Sequence, residues 1–274
     1  LEFRRVLFRS AEDLRRSLVI EIDEARAARG GLEQDAPLVA LIHDALAPAP
    51  APEIPDIQVA GTSASAEGVL TGDWWDAIRT ADGNLAIVIG DTSGHGPSPT
   101  VTTLRTKNLL RGSLSSGISP VSAVEIAARA CAEDENFVTA FIALVDPARS
   151  VIRYVNAGHQ PPVLVSMDDD IVLLVGTGPL LSALGGSWGE QEIAFDEGSC
   201  LFAYTDGLIE GHASDGSDRD PKEIGTAIAR TSDRQRSDAT EVLARVMAEF
   251  RAVSRRWNQD DVTAVVVSHT PMAR

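Results

Sequence analysis

After Pro55, most apolar segments of the chain occur as neighbouring pairs that are joined by short turns. In the clearest pair, WDAIRT and NLAIVIG flank Asp82-Gly83, a dipeptide typical of β-hairpin turns. Strands that follow one another as hairpins favour antiparallel sheets over alternating parallel β-α-β units. The other predicted strands are IQVAGTSAS, FVTAFIALVD, VIRYVNAG, PVLVSM, IVLLV, EQEIAF, SCLFAYTDG and DVTAVVVSH.

Two groups of helices interrupt these strands. The sequence pattern predicts helices over Thr100–Ser115 and Val121–Glu133, and the clearest later helix is Ala239–Val253. Ser119 is a good N-cap for the second of these helices, because Pro120 follows it in the first turn. Strands and helices together predict an α+β protein in which helices cover an antiparallel sheet system.

Composition and charge exclude several classes of function. The formal net charge of −16 would repel nucleic acid and anionic membranes, but it is compatible with binding cations. The 2 cysteines are too few for a disulfide framework and fit a reducing compartment, so we expect a cytoplasmic protein. The longest uncharged run, Ile171–Gly189, is broken by glycines and a proline, so we expect no membrane span.

The first 55 residues differ from the rest of the chain. Residues 1–10, LEFRRVLFRS, contain Leu-Glu and Glu-Phe pairs that resemble translated cloning sites, and we interpret them as derived from cloning or sequence assembly. Residues 11–55 are predicted to be a helical connector followed by the proline-rich linker APAPAPEIP. Residues 56–270 are predicted to form the main domain.

Two interpretations of the connector stay open. Its predicted helices, Ala11–Arg29 and Leu38–Leu46, form either a packed helical hairpin or a connector that follows an upstream domain and makes a dimer contact. The second interpretation predicts a homodimer through the N-terminal helix. It also predicts an upstream sensor domain or activator as a partner.

Several acidic residues stand where apolar strands begin or end. They are Asp73 in TGDWWD, Asp91 in IGDTSGHG, Asp206 in YTDGLIE, and Asp260 and Asp261 in QDDVTAVVV. A carboxylate beside a buried strand is costly unless a positive charge neutralises it, and these motifs contain no Lys or Arg. A divalent cation would neutralise them, and an all-oxygen ligand set favours Mg²⁺ or Mn²⁺. Each motif alone is more typical of a turn or a solvated strand start, so the prediction depends on their joint occurrence.

Seven motifs occur in one order along the chain. They are TGDWWD, IGDTSGHG, FVTAFIALVD, YVNAGHQPPVL, GPLLSALG, YTDGLIE and QDDVTAVVV. Together they resemble the metal-dependent type 2C protein phosphatases, most of all the bacterial branch of the stage II sporulation phosphatase and the stress-response regulator phosphatases. The likeness spans Ile57 to His269. It implies two stacked antiparallel β-sheets flanked by helices, an αββα sandwich, which agrees with the α+β class expected from the strands.

The resemblance implies a site that holds two Mn²⁺ or Mg²⁺ ions. By motif match, Asp91 would bridge both ions, and Asp206 and Asp260 would hold the first. The backbone carbonyl of Thr92 would reach the second ion, with Asp73 nearby through a water molecule.

Further residues of the matching motifs have subordinate roles. His95 would protonate the leaving oxygen, orient phosphate, or fix the glycine-rich turn. The secondary site candidates are Asp76, Gly207 and Asp261. Pro97 and Pro99 depart from the family pattern after SGHG, and we expect them to delay the start of the following helix, which in this branch takes part in regulation.

The implied activity is hydrolysis of phosphoserine or phosphothreonine in a protein by a metal-activated water. In this branch the substrate is often a phosphorylated anti-sigma-factor antagonist, so the expected partner is a STAS-type antagonist in a partner-switching pathway. One alternative is a non-catalytic binding module with the phosphatase fold, which the loss of one of the aspartates would have favoured. Another is a two-metal nuclease, against which the net charge of −16 argues.

Overall fold

The computed structural model describes residues 41–64, 71–94, 97–131, 136–210, 217–231, 236–254 and 261–270. The chain divides into two units, Leu1–Asp44 and Ala45–Arg274. Of the first unit only residues 41–44 are described, and they are helical. The predicted helix Ala11–Arg29 with its dimer contact, and the interpretation of residues 1–10, lie outside the described residues. The predicted domain organisation therefore stays a prediction.

The second unit contains two sheets, in which every pair of neighbouring strands is antiparallel. In the described residues the strands are β1 (Ile57–Ala64), β2 (Trp74–Arg79), β3 (Leu85–Thr92), β4 (Val138–Asp146), β5 (Val151–Ala157), β6 (Val163–Val165), β7 (Ile171–Leu173), β8 (Gln191–Ala194), β9 (Cys200–Tyr204) and β10 (Val262–His269). The first sheet has the strand order β1-β10-β9-β6-β7, and the second has the order β2-β3-β4-β5-β8.

The β2–β3 hairpin forms at the predicted Asp-Gly turn. Arg79 pairs with Leu85 at the end of the ladder, and the amide of Thr80 donates to the carbonyl of Asn84 (3.0 Å). Gly83 has a φ of 88°, a left-handed conformation that a glycine adopts at little cost. The turn chemistry therefore sets the register of the two strands that carry Asp73 and Asp91 at the opposite end of the hairpin.

Besides the helical residues 41–46, four α-helices are named here from the described residues, and no described helix combines the length and apolar character that crossing a bilayer requires. They are α1 (Pro97–Ser115), α2 (Pro120–Ala130), α3 (Lys222–Ala229) and α4 (Ala239–Val253). Ser119 caps α2, as predicted, by accepting a hydrogen bond from the amide of Ser122 (3.3 Å). The expectation that Pro97 and Pro99 delay the first helix is wrong, because α1 begins at Pro97. Prolines are tolerated there because the first residues of a helix have no intrahelical acceptor for an N–H group.

The two sheets stack on one another, and helices cover both outer faces. The core between the sheets contains Ile87 and Phe141 of the second sheet and Leu201 and Val265 of the first. Helices α1 and α2 pack on the outer face of the second sheet, and α3 and α4 pack on the outer face of the first. The predicted α+β class, with two stacked antiparallel sheets flanked by helices, is confirmed.

Trp74 and Trp75 of β2 point to opposite faces of the second sheet. The alternation of side chains along a strand predicts one indole in the core and the other directed outward. Instead Trp74 packs beneath α1 and α2 and is 1% exposed, whereas Trp75 packs between the sheets and is 6% exposed. The predicted outward orientation is wrong because helices cover the outer face of this sheet, so both faces of β2 are apolar.

Candidate active site

The acidic residues singled out from the sequence lie at the ends of strands from both sheets. Asp73 directly precedes β2, and Asp91 is the penultimate residue of β3. Asp206 follows β9 and opens a short 3-10 turn, Asp206–Leu208, while Asp261 directly precedes β10. One edge of the sandwich therefore brings together carboxylates that are far apart in the chain.

Asp73 lies at the centre of this group, buried, with a solvent exposure of 5%. Burial raises the pKa of its carboxyl well above the ordinary value, and the charge of Asp91 raises it further. The charges of Asp261 and Asp206 act in the same direction with smaller effect. All three neighbours are thus close enough to repel a charged Asp73, and a cation at this position would relieve the repulsion.

A threonine that the sequence analysis did not single out contacts Asp73. The hydroxyl of Thr205 donates to Asp73 Oδ2 (2.6 Å), and this bond lowers the pKa of the carboxyl against the other influences. The amide of Thr263 donates to Thr205 Oγ1 (2.9 Å). Because Thr205 and Thr263 belong to the β9–β10 side and Asp73 to the β2 side, this hydroxyl joins the two sheets at the site. The only sequence signal for Thr205 is its position before Asp206 in YTDG.

Gly72 leaves room for the carbonyl of Thr92. A Cβ atom on Gly72 would lie 2.5 Å from the Thr92 carbonyl oxygen and 3.2 Å from Asp91 Oδ1. The Thr92 amide also donates to the carbonyl of Gly72 (3.3 Å). A residue with no side chain therefore borders the two oxygen atoms that the sequence motifs predict as cation ligands.

The end of β3 is held in place by contacts to α1 and β4. The hydroxyls of Thr92 and Thr103 are 2.8 Å apart, and Thr103 Oγ1 also bonds to the carbonyl of Pro99 (2.9 Å) in the first turn of α1. After Thr92, the amide of Ser93 donates to the carbonyl of Phe137 (2.9 Å). The Phe137 amide donates back to Ser93 Oγ (2.9 Å).

His159 lies beneath Asp91, one strand away. Asp91 pairs with Thr139 of β4, and the hydroxyl of Thr139 is 2.8 Å from His159 Nδ1. The His159 amide donates to Asn156 Oδ1 (2.9 Å), a bond that anchors the loop after β5. Burial lowers the pKa of His159 to about 4, and the nearby Tyr204 backbone carbonyl only partly opposes this effect. His159 is therefore neutral near pH 7.

The buried state of His159 predicts a loss of stability in mild acid. The unfolded chain protonates this residue below its ordinary pKa of 6.5, whereas the folded chain does not until about pH 4. The unfolding free energy should therefore fall as pH decreases through this window, by about 2 kcal/mol between pH 7.5 and 5. Urea unfolding of wild type and His159→Gln at pH 7.5 and 5 measures it, and the variant should lack that part of the loss. Equal losses in both proteins would contradict the assignment.

Not every predicted site residue joins this group. Asp76 lies on the α1 side of β2, where Arg111 forms an ion pair with its carboxylate. Gly207 is buried in the 3-10 turn that Asp206 opens. His95 and Asp260 lie outside the described residues. The roles assigned to these residues from the sequence stay predictions.

The ligand atoms at this edge are oxygens, the element that hard cations prefer. Carboxylate and backbone carbonyl oxygens are the ligands that Mg²⁺ and Mn²⁺ prefer, and both the repulsion around Asp73 and the space left by Gly72 agree with a cation there. Within the described ranges, no three Asp, Glu, His or Cys side chains are arranged so that they could hold a metal ion by themselves. Asp260, a predicted ligand, is not among the residues considered. The described residues thus supply part of a cation site.

Comparison with known proteins identifies relatives of the chain. The family model described as Stage II sporulation protein E (SpoIIE) matches residues 81–270, which is more than half of the chain. Phosphoserine phosphatase RsbP from Bacillus subtilis is 28% identical over 158 residues, which cover 55% of this chain. The matched segment covers 39% of RsbP, so the chain spans well under two thirds of this relative.

Solved structures share the same architecture. The RsbU and RsbW domains of Rv1364c from Mycobacterium tuberculosis match with a TM-score of 0.65 and 25% identity, covering 78% of this chain and 62% of that chain. RsbX in complex with magnesium matches with a TM-score of 0.64 over 80% of this chain and 98% of that chain, and at 18% identity this likeness shows the fold alone. Since the family model covers more than half of the sequence, the chain belongs to the stage II sporulation protein E (SpoIIE) family of PP2C-type phosphatase domains.

Proposed function

We propose that the chain is a metal-dependent serine/threonine protein phosphatase. The observation that carries the proposal is the group of acids at one edge of the sandwich. Asp73 is buried there, close to the charges of Asp91, Asp206 and Asp261. Such a group of acids without a neutralising cation would repel a phosphate dianion. Substrate binding at this edge therefore depends on cations that the acids hold.

The proposed ligands follow the sequence motifs. Asp91 would bridge two cations, with Asp206 and Asp260 on the first and the Thr92 carbonyl on the second. Two Mn²⁺ or Mg²⁺ ions, when bound, would supply a water of lowered pKa and a clamp for the phosphoryl oxygens. Asp73 would complete the second position.

Neighbouring residues affect the position, the accessibility and the local charge of these ligands. The Thr205 hydroxyl donates to Asp73 Oδ2, and Gly72 leaves the Thr92 carbonyl accessible. The neutral His159 adds no positive charge that would compete with a cation near Asp91. His95 is proposed to protonate the leaving oxygen or to fix its turn.

The proposed substrate is a phosphoserine or phosphothreonine protein, namely an anti-sigma-factor antagonist in a partner-switching pathway. Two relatives support this choice: RsbP carries the name phosphoserine phosphatase, and Rv1364c contains an RsbU and an RsbW domain. A STAS-type antagonist is the proposed partner, and an upstream sensor or activator is a further proposed partner.

Hydrolysis of para-nitrophenyl phosphate by the full chain tests the activity. We expect turnover with Mn²⁺ or Mg²⁺, none with EDTA, and a loss of at least about 100-fold in kcat/KM for Asp91→Asn, since even outer-shell partners of a metal can cost that much. Asp168→Asn, in the exposed β6–β7 turn, removes the same charge away from the site and should keep full activity. A phosphoserine peptide in place of the aryl ester then tests the substrate class.

Two negative outcomes have different meanings. A folded chain that neither binds Mn²⁺ nor hydrolyses the ester would contradict the phosphatase assignment and support a non-catalytic binding module. Mn²⁺ binding without turnover would instead indicate that an activator is missing, and addition of the upstream part of a longer relative would then be the next measurement.

A further inference from the structure

Thr205 makes contacts that the proposed ligand set does not explain. Its side chain is fully buried between the ends of β9, β10 and β2, with an exposure of 0%. It is not itself a predicted ligand, yet its hydroxyl lies 2.6 Å from Asp73 Oδ2. The two residues are separated by 132 positions in the sequence, so only the folded domain brings them together.

The surroundings of this hydrogen bond favour donation from Thr205 to Asp73. A threonine hydroxyl has one hydrogen, and the amide of Thr263 already donates to Thr205 Oγ1 (2.9 Å). The hydroxyl hydrogen can therefore go to Asp73 at 2.6 Å or to the Thr263 carbonyl at 3.4 Å. The shorter contact has the length of a charge-assisted O–H···O⁻ bond, and the Thr263 carbonyl already accepts from the Thr205 amide (2.9 Å).

This geometry divides the two oxygens of Asp73 between two tasks. Oδ2 is engaged by the hydroxyl, which restricts the rotation of the carboxylate plane. Among the described residues, no hydrogen bond occupies Oδ1, so this oxygen can face a cation. The anchor belongs to the β9–β10 sheet, which also carries Asp206 and Asp261, whereas Asp73 belongs to the other sheet. One hydroxyl thus sets the position of Asp73 relative to acids on the opposite sheet.

We propose that Thr205 is a positioning residue that holds the Asp73 carboxylate in the orientation needed to bind a divalent cation. The inference rests on the proposed function, because it concerns the cation that Asp73 would help to hold. Partners of metal ligands typically change metal affinity or activity by about 10–100-fold when they are removed.

Binding of Mn²⁺ to the full chain, measured by titration calorimetry, tests this proposal without using turnover. Thr205→Val keeps the shape of the side chain but removes the hydroxyl, and we expect Mn²⁺ affinity to fall by about 10–100-fold. Thr205→Ser restores the hydroxyl and should bind within about 3-fold of wild type, a change of about 0.7 kcal/mol. Thr231→Val is the matched control, since it removes a buried hydroxyl that bonds to the Ile228 carbonyl (2.6 Å), away from the acidic group.

A double-mutant cycle separates positioning from a general loss of structure. If Thr205 acts through Asp73, Thr205→Val should have no further effect on Mn²⁺ affinity in an Asp73→Ala background. An additional loss of 10-fold or more in that background would overturn the proposal, and so would equal affinities of wild type and Thr205→Val. Thermal unfolding in EDTA identifies any variant that fails to fold. If Thr205→Val does not fold, Thr205→Ala replaces it in the double-mutant cycle. The Mn²⁺ affinities of Thr205→Ala and Thr205→Ser then test the role of the hydroxyl.

Failure of the proposed function gives a different result. A folded wild type that binds no Mn²⁺ would overturn both the phosphatase site and the role of Thr205. If wild type binds Mn²⁺ and hydrolyses para-nitrophenyl phosphate, and Thr205→Val binds Mn²⁺ with the same affinity, only the role of Thr205 would be overturned.

Discussion

Gly72→Ala should lower the proposed phosphatase activity by at least about 100-fold while the protein stays folded, because small displacements at a catalytic site can cost that much. The added Cβ would lie 2.5 Å from the Thr92 carbonyl oxygen and 3.2 Å from Asp91 Oδ1. The nearer atom belongs to the backbone and cannot rotate away, so the strand ends must separate. Steady-state kinetics with para-nitrophenyl phosphate and calorimetric titration of Mn²⁺ measure the effect, and both should decline together.

Gly112→Ala is the matched control for this substitution. Gly112 lies on the exposed side of α1, and a Cβ there would meet no atom within 4 Å. Activity should be unchanged, and stability should rise by about 0.5–1 kcal/mol because alanine is favoured over glycine inside a helix. Full activity of Gly72→Ala would contradict the tight approach of Gly72 to the Thr92 carbonyl.

Among the substitutions proposed for this protein, Trp74→Ala should lower the unfolding free energy most, by about 3–5 kcal/mol, as expected for removal of a fully buried aromatic side chain. The indole packs with Leu110 and Leu114 of α1 and Val124 of α2. It also lies so close to Gly90 that a Cβ there would be 2.9 Å from the ring. Urea unfolding in EDTA measures the change without any contribution from bound metal.

Trp74→Phe provides the comparison for this cavity. The indole Nε1 of Trp74 is buried without a hydrogen-bond partner in the described residues. Phenylalanine removes this unsatisfied donor and keeps most of the ring contacts, so the loss should be less than half of that for alanine. Equal losses for the two variants would show that the packing of the whole indole, and not the filled volume, holds α1 and α2 on the sheet.

The hairpins of the second sheet are predictable because consecutive strands pair through local sequence signals. Alternation and turn residues are enough to identify β2, β3, β4 and β5, and the Asp-Gly turn sets the β2–β3 register. The position of Trp74 is not predictable in the same way, because the side chain is buried by helices that come later in the chain. The early start of α1 escapes prediction for another reason: proline breaks helices in their interior but is acceptable in their first turn.

The sequence predicts the acids of the candidate site and the Thr92 carbonyl, but not the contacts that support them. Asp73, Asp91, Asp206 and Asp261 can be named because each stands at the end of an apolar segment. The contact of Thr205 with Asp73 and the pairing of the Thr92 and Thr103 hydroxyls depend on which segments meet in space. A single sequence does not show which distant segments are in contact. Threonine and serine are also too common to be identified as site residues without that information.

The pairing of β1 with β10 has a consequence for how this domain combines with others. Ile57 pairs with His269, and the amide of Thr270 donates to the carbonyl of Asp56 (2.7 Å). The first strand of the sandwich therefore begins beside the end of its last strand. A host protein could accept the segment from β1 to β10 within a single surface loop, because the two ends of this segment replace one point of the host chain, the arrangement in which domain insertion is tolerated.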